Sequence, residues 1–258
     1  MGQIFVDTDA WAIAATVALA MVGGWVAGRW RGRRLGIELE LQGRTAVSKF
    51  VDASLAVLGL LLAFTFSTAL SKHDQRRMMV VADSNAIGDF YTCASLLKEP
   101  VRTNLRTVIR DYAALRVNLA QHRYDKAAFE DALGRFQQMH EQMVELVSQA
   151  LENGTPIGVS LTNTLNAVTS SQASRLAAVK DRLPTTIVLL LLLSAVSSAM
   201  LVGREQGAAD EADIAGTVCF IVLVSFAIFV TLDLNQPDRG FVTVSQEPIQ
   251  RLLSTMSQ

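Results

Sequence analysis

Apolar residues in this chain gather into four separate runs, at positions 10–28, 51–70, 184–203 and 214–232. A helix needs ~20 apolar residues to cross the hydrocarbon core of a bilayer, and each run meets that length. Residues 71–183, between the second and third runs, contain no comparable stretch. The pattern predicts an all-α membrane protein: four transmembrane helices with a helical bundle inserted between the second and third spans. It divides the chain into a first pair of spans (1–70), a bundle (71–183), a second pair of spans (184–232) and a tail (233–258).

Energetics favour insertion. Ten of the residues in 187–202 are Leu, Ile or Val, each worth ~0.3–0.6 kcal/mol at the centre of a span, against ~2.5–3.5 kcal/mol for one central Arg or Asp. None of the runs carries a charge near its middle, and Asp52 stands at the start of the second. The first run follows Asp7 and Asp9 and precedes Arg29, Arg31, Arg33 and Arg34. Those flanks are the reverse of a secretion signal's, so it is expected to stay as a span.

Between the middle spans the apolar positions recur at helical spacing. Met78, Val81, Ala82, Phe90, Ala94 and Leu97 form one stripe, ended by Glu99-Pro100. Val101, Leu105, Val108, Ile109, Tyr112, Leu115 and Leu119 form a second. The third, over 126–152, carries Phe129, Leu133, Phe136, Met143, Leu146, Val147 and Ala150, and stops at Asn153-Gly154-Thr155-Pro156. A fourth runs from about Val159 through Leu161, Leu165, Val168, Leu176 and Val179 to Pro184. Short breaks between amphipathic helices predict an antiparallel bundle. Spans two and three are expected to continue outward as long helices, with a kink at Pro184. Alternation over 35–41 suits a short strand, 233–240 a turn, 241–245 an extended segment and 248–253 a short helix.

Charge orients the spans. The connection between the first two holds Arg29, Arg31, Arg33, Arg34, Arg44 and Lys49, and that between the last two adds Arg204. Lys and Arg in short loops mark the cytoplasmic side, which places both termini and the bundle outside a bacterial plasma membrane. A formal net charge of −1 gives no support to nucleic-acid binding. Cys93 and Cys219 have no Cys-x-x-Cys spacing and read as small apolar packers, with a free thiol at Cys93 as the other reading.

Three stretches resemble motifs of a bacterial membrane-protein family of unknown function that is sometimes labelled bestrophin-like. The first is Leu60-Leu61-Leu62-Ala63-Phe64 leading into Ala82-Asp83-Ser84-Asn85-Ala86-Ile87. The second runs from Arg175 to Leu183-Pro184. The third is Asp233-Leu234-Asn235-Gln236-Pro237 followed by Gly240, Val244-Ser245 and Pro248. Asp83 stands where Glu is usual in that family, and Asn235 where a second Asp is usual. The label implies analogy with chloride channels that also have four spans per subunit. In bestrophins the domain between the middle spans is cytosolic, whereas the loop charges here put it outside.

The candidate chemistry is sparse. Asp83 and Asn85 follow the second span; Asp233, Asn235, Pro237, Asp238 and Arg239 follow the fourth. With Arg76, Arg77 and Arg182 nearby, they read either as turn caps and interhelical ion pairs or as an ion or ligand site at the mouth of a pore. Thr65 and Thr68 share one face of the second span, and Ser67 and Ser71 another. Their hydroxyls either bond back to the helix or line a pore. His73, His122 and His140 lack metal-ligand spacing, and no nucleophile elbow or phosphate loop occurs, so neither cofactor nor enzymatic activity is expected. Gly24 and Gly28 form a Gly-x-x-x-Gly pair suited to close helix packing, in this chain or a neighbouring one. The expected function is a homo-oligomeric pore or channel for small ions. The other reading is a membrane sensor or scaffold whose external bundle signals to a partner protein.

Overall fold

The structure, a computed structural model, describes residues 9–35, 41–121, 126–209, 212–236 and 240–256. All regular secondary structure among them is helical. The helices are α1 (Ala10–Leu35), α2 (Leu41–Ser95), α3 (Val101–Gln121), α4 (Lys126–Glu152), α5 (Gly158–Lys180), α6 (Thr185–Ala209), α7 (Ile214–Leu234) and α8 (Glu247–Met256). Four segments are long and apolar enough to cross a membrane: Ala10–Arg34, Ser48–Ser95, Thr185–Ala209 and Ile214–Leu234. The chain is a multi-pass membrane protein.

Span two continues past its apolar run as one helix, since α2 has 55 residues. Span three does not. The helix before it ends at Lys180, Asp181 turns to an extended backbone (φ −77°, ψ 102°), and α6 starts at Thr185. Pro184 explains the break: its ring disfavours helical geometry at Leu183, and it has no N–H to donate. The strand expected over 35–41 falls mostly on 36–40, outside the described residues. Residues 241–246 carry no regular structure, and the short helix after them spans Glu247–Met256.

The chain divides into two compact units, Met1–Lys72 with Arg182–Val242 and His73–Asp181 with Thr243–Gln258. In the first, Ile13, Val17 and Met21 of α1, Leu58 of α2, Leu191, Ala195 and Ala199 of α6, and Ile221, Val224 and Ile228 of α7 form one buried cluster. The Gly24/Gly28 face meets span three of the same chain. A Cβ on Gly28 would overlap the Met200 carbonyl, and one on Gly32 the Arg204 carbonyl. From the other side, Gly203 and Gly207 lie equally close to the Trp25 and Arg29 carbonyls. Only residues without side chains allow two backbones to approach so closely. Trp25 Nε1 donates to Gln206 Oε1 (3.0 Å), and Gln206 Nε2 to Thr217 Oγ1 (3.0 Å), which ties α1, α6 and α7 together at one end.

The second unit packs Ile87, Phe90 and Ala94 of α2, Leu105, Ile109 and Tyr112 of α3, Phe136, Met143 and Val147 of α4, Leu161, Leu165 and Val168 of α5, and Ile249 and Met256 of α8 around one core. The stripes expected on α3, α4 and α5 supply most of it. Of the stripe expected before Pro100, Phe90, Ala94 and Leu97 are buried in this core, but its first half is displaced: Met78, Val81 and Ala82 are exposed, and Val80, Asp83, Ser84 and Ile87 face inward. A buried face that is partly polar hides its own periodicity. At the α4–α5 turn Gly154 takes φ +69°, which a side chain would resist.

Candidate functional site

Asp83 follows Val80 by three residues and precedes Ile87 by four, so helical geometry drives it into the core of the second unit. No solvent reaches it. A carboxylate there is tolerable only with charged partners and hydrogen bonds. Arg175 Nη1 donates to Oδ2 at 2.7 Å, Ser171 Oγ donates to Oδ1 at 2.7 Å, and Arg116 Nε lies 3.5 Å from Oδ2.

The shell around this centre is also polar and ordered. Arg116, buried, donates through Nη2 to the Tyr112 hydroxyl (2.7 Å), which donates in turn to Gln172 Oε1 (3.0 Å). The Arg116 guanidinium also lies 4.4 Å from the Phe136 ring centroid. Its Nε makes no hydrogen bond. Arg175 Nη2 reaches Gln246 Oε1 (3.1 Å), and Ser84 Oγ donates to the Pro248 carbonyl (3.0 Å). Two guanidinium groups thus surround one carboxylate. Burial pulls the Arg175 pKa below its ordinary value, against the attraction of Asp83, and pushes the Tyr112 phenol up.

A separate polar group closes the end of span four in the first unit. Asp233 is buried, and its carboxylate accepts from the backbone N–H of Phe241 (Oδ1, 2.8 Å) and of Val242 (Oδ2, 2.9 Å). Asn235 Oδ1 accepts from Leu183 N at 2.7 Å. Gly240 is needed here because a Cβ would come within 2.7 Å of the Asp233 carbonyl oxygen. These side chains fold the tail back and hold the residue before Pro184.

Among the other sequence candidates, Asn85 is exposed. Pro237 and Arg239 lie outside the described residues. Thr65 is buried and donates to the Leu61 carbonyl (2.7 Å), and Thr68, exposed, donates to the Phe64 carbonyl (2.8 Å). Ser71 is exposed. Arg76 is buried and caps the end of α5 through the Ala178 (3.1 Å) and Asp181 (2.9 Å) carbonyls. Cys93 packs partly buried against the core and Cys219 is exposed; both are free thiols. Sequence reading missed Arg116, Tyr112 as a polar partner, Ser171 and Gln246. One signal existed: Arg116 and Ser171 continue the apolar spacings Ile109–Tyr112 and Leu165–Val168, where a polar side chain is out of place.

Parts of all three motif stretches therefore meet in the second unit as Asp83–Ser84, Arg175 and Val244–Pro248, while other parts of the second and third meet in the first as Leu183, Asp233–Asn235 and Gly240. Fold and site define an all-helical, multi-pass membrane protein with a buried arginine–carboxylate centre. A family model described as "Bestrophin-like domain" matches residues 14–249, and the chain belongs to the bestrophin-like family. No curated protein and no solved structure matches it.

Proposed function

We propose that the chain is a non-enzymatic, homo-oligomeric pore of the bacterial inner membrane. In this reading several copies place their second spans around a shared axis and pass small ions. One observation carries it: of the four spans, the second is the least buried within its own chain, with 17% of its most apolar stretch covered. Val57, Leu60 and Phe64 are 54%, 56% and 64% exposed, and the same face continues to the exposed Thr68 and Ser71. Spacings of three and four keep these residues on one side of the helix. A stripe that passes from apolar to hydroxyl-bearing suits a narrow apolar passage with a polar mouth better than uniform contact with acyl chains. Thr65, turned into its own chain, has no part in such a lining. With the bundle outside, as the loop charges favour, Thr68 and Ser71 would form the external mouth.

The test is a Cys93→Ser, Cys219→Ser protein carrying Thr68→Cys, in planar bilayers. Oligomers in native mass spectrometry, together with a current that a charged thiol reagent alters, are expected. A monomer that passes no current overturns the proposal.

A second reading has its own support. One helix carries both span two and Asp83, so the span and the charged centre belong to the same element. A sensor or scaffold of this kind needs a partner that reads the short connections. Crosslinking followed by co-purification would reveal such a partner, and its absence would favour the pore.

A further inference from the structure

The face of α1 opposite Gly24, Gly28 and Gly32 is uncovered and changes character along its length. Leu19, Val22 and Val26 are 74%, 43% and 53% exposed; Trp30 is 58% exposed, and Arg33 and Arg34 follow, both exposed. Steps of three and four keep these residues on one side of the helix. The Arg34 guanidinium carbon lies 3.7 Å from the Trp30 ring centroid. Stacking uses the flat face of the guanidinium and leaves its in-plane N–H groups able to grip a phosphate in bidentate fashion. Exposed Arg31 adds a further positive charge.

Depth along the helix agrees. Trp11, 61% exposed, lies 19 residues before Trp30, which at the helical rise is about 28 Å. That is close to the ~30 Å of a bilayer's hydrocarbon core. The two tryptophans mark its boundaries, as interfacial aromatics do. Arg34, one turn past Trp30, then stands at the level of the lipid phosphates.

We propose that this face is a binding site for an anionic phospholipid. An acyl chain lies along Leu19, Val22 and Val26, the glycerol region meets Trp30, and the acidic headgroup is held by Arg34 and Arg31. A lipid is the fitting occupant because the apolar stripe runs without interruption into the aromatic and then the cationic residues, in the order that a phospholipid presents its own parts. The site does not depend on oligomerisation.

Native mass spectrometry of the full chain, equilibrated in mixed micelles with equimolar phosphatidylglycerol and phosphatidylcholine, tests this. Each arginine near an anionic surface contributes about five-fold in affinity, so the wild type is expected to retain phosphatidylglycerol at least five-fold over phosphatidylcholine. In the R31Q/R34Q double variant the two lipids should be retained almost equally. Equal retention by the wild type overturns the proposal, and so does an undiminished preference in the variant. A Trp11→Phe, Trp25→Phe protein gives an independent readout: brominated phosphatidylglycerol should quench Trp30 more than brominated phosphatidylcholine does. Should loss of the Trp25–Gln206 bond prevent that variant from folding, the mass-spectrometric comparison decides alone.

Discussion

Arg175 Nη1 donates to Asp83 Oδ2 across 2.7 Å, joining α5 to α2 through a carboxylate with no exposed surface. Its neighbour Arg116 is also buried, so Asp83 is the charge that makes both guanidiniums tolerable where they stand. Removing one partner of a buried ion pair costs ~3–5 kcal/mol, because the other stays desolvated and uncompensated. Asp83→Asn should therefore lower stability by about that amount, and Asp83→Glu, which keeps the charge, by much less. Thermal melting of the detergent-solubilised protein measures both. An Asp83→Asn midpoint equal to wild type would mean that the pair contributes little.

Close approach of spans one and three makes glycine substitutions position-dependent. A Cβ on Gly28 would overlap the Met200 carbonyl, whereas one on Gly23 meets nothing within 4 Å. Gly28→Ala must push the two helices apart, and overpacking of this sort costs ~1–3 kcal/mol. Gly23→Ala should be neutral or slightly stabilising, because alanine is the better helix former. The same melting assay ranks the two. Equal effects would place the α1–α6 contact elsewhere.

At the end of span four, Asp233 accepts from two backbone N–H groups and so fixes residues 241 and 242 against the helix. Hydrogen bonds to a charged acceptor are worth ~1.5–3 kcal/mol each. Asp233→Ala should loosen residues 241 and 242, while α8 stays docked in its own core, and speed cleavage at that point by an added protease. Asn235→Ala, which removes the bond to Leu183 N, should leave that cleavage rate near wild type. A tail equally protected in both variants would count against this reading of Asp233.

The sequence makes the spans legible because lipid demands long, uncharged apolar runs, a signal that needs no knowledge of tertiary contacts. It makes α3, α4 and α5 legible because each turns an apolar face to a shared core. The buried centre is harder to read. Asp83 and Arg175 lie in motif stretches, yet their pairing spans 92 positions and follows from packing rather than local pattern. Arg116 and Ser171 belong to no motif stretch and show only as polar residues on apolar faces. The inward turn of Asp83 is also why the first half of the stripe on α2 misleads: Met78 and Val81 keep an apolar spacing, but the core side of that helix runs through Val80, Asp83 and Ile87 to the expected Phe90 and Ala94.

Alkaline pH should act on the second unit through Tyr112. Burial raises its phenol above the ordinary value of 10.0, an effect that Arg116 opposes and Asp83 reinforces. In the unfolded chain the phenol ionises from about pH 10, while the folded protein holds its proton to higher pH. Over that interval the unfolded state binds fewer protons, so stability falls as pH rises; below it the two states are protonated alike and Tyr112 contributes no slope. Tyr112→Phe removes the titration. It also leaves Arg116 Nη2 and Gln172 Oε1 without their partner, at a cost of ~1–3 kcal/mol near neutrality. The variant should thus melt lower than wild type at about pH 8 and lose less stability on going to about pH 11. Melting curves that fall in parallel across that range would show that the Tyr112 proton is not what the alkaline loss depends on.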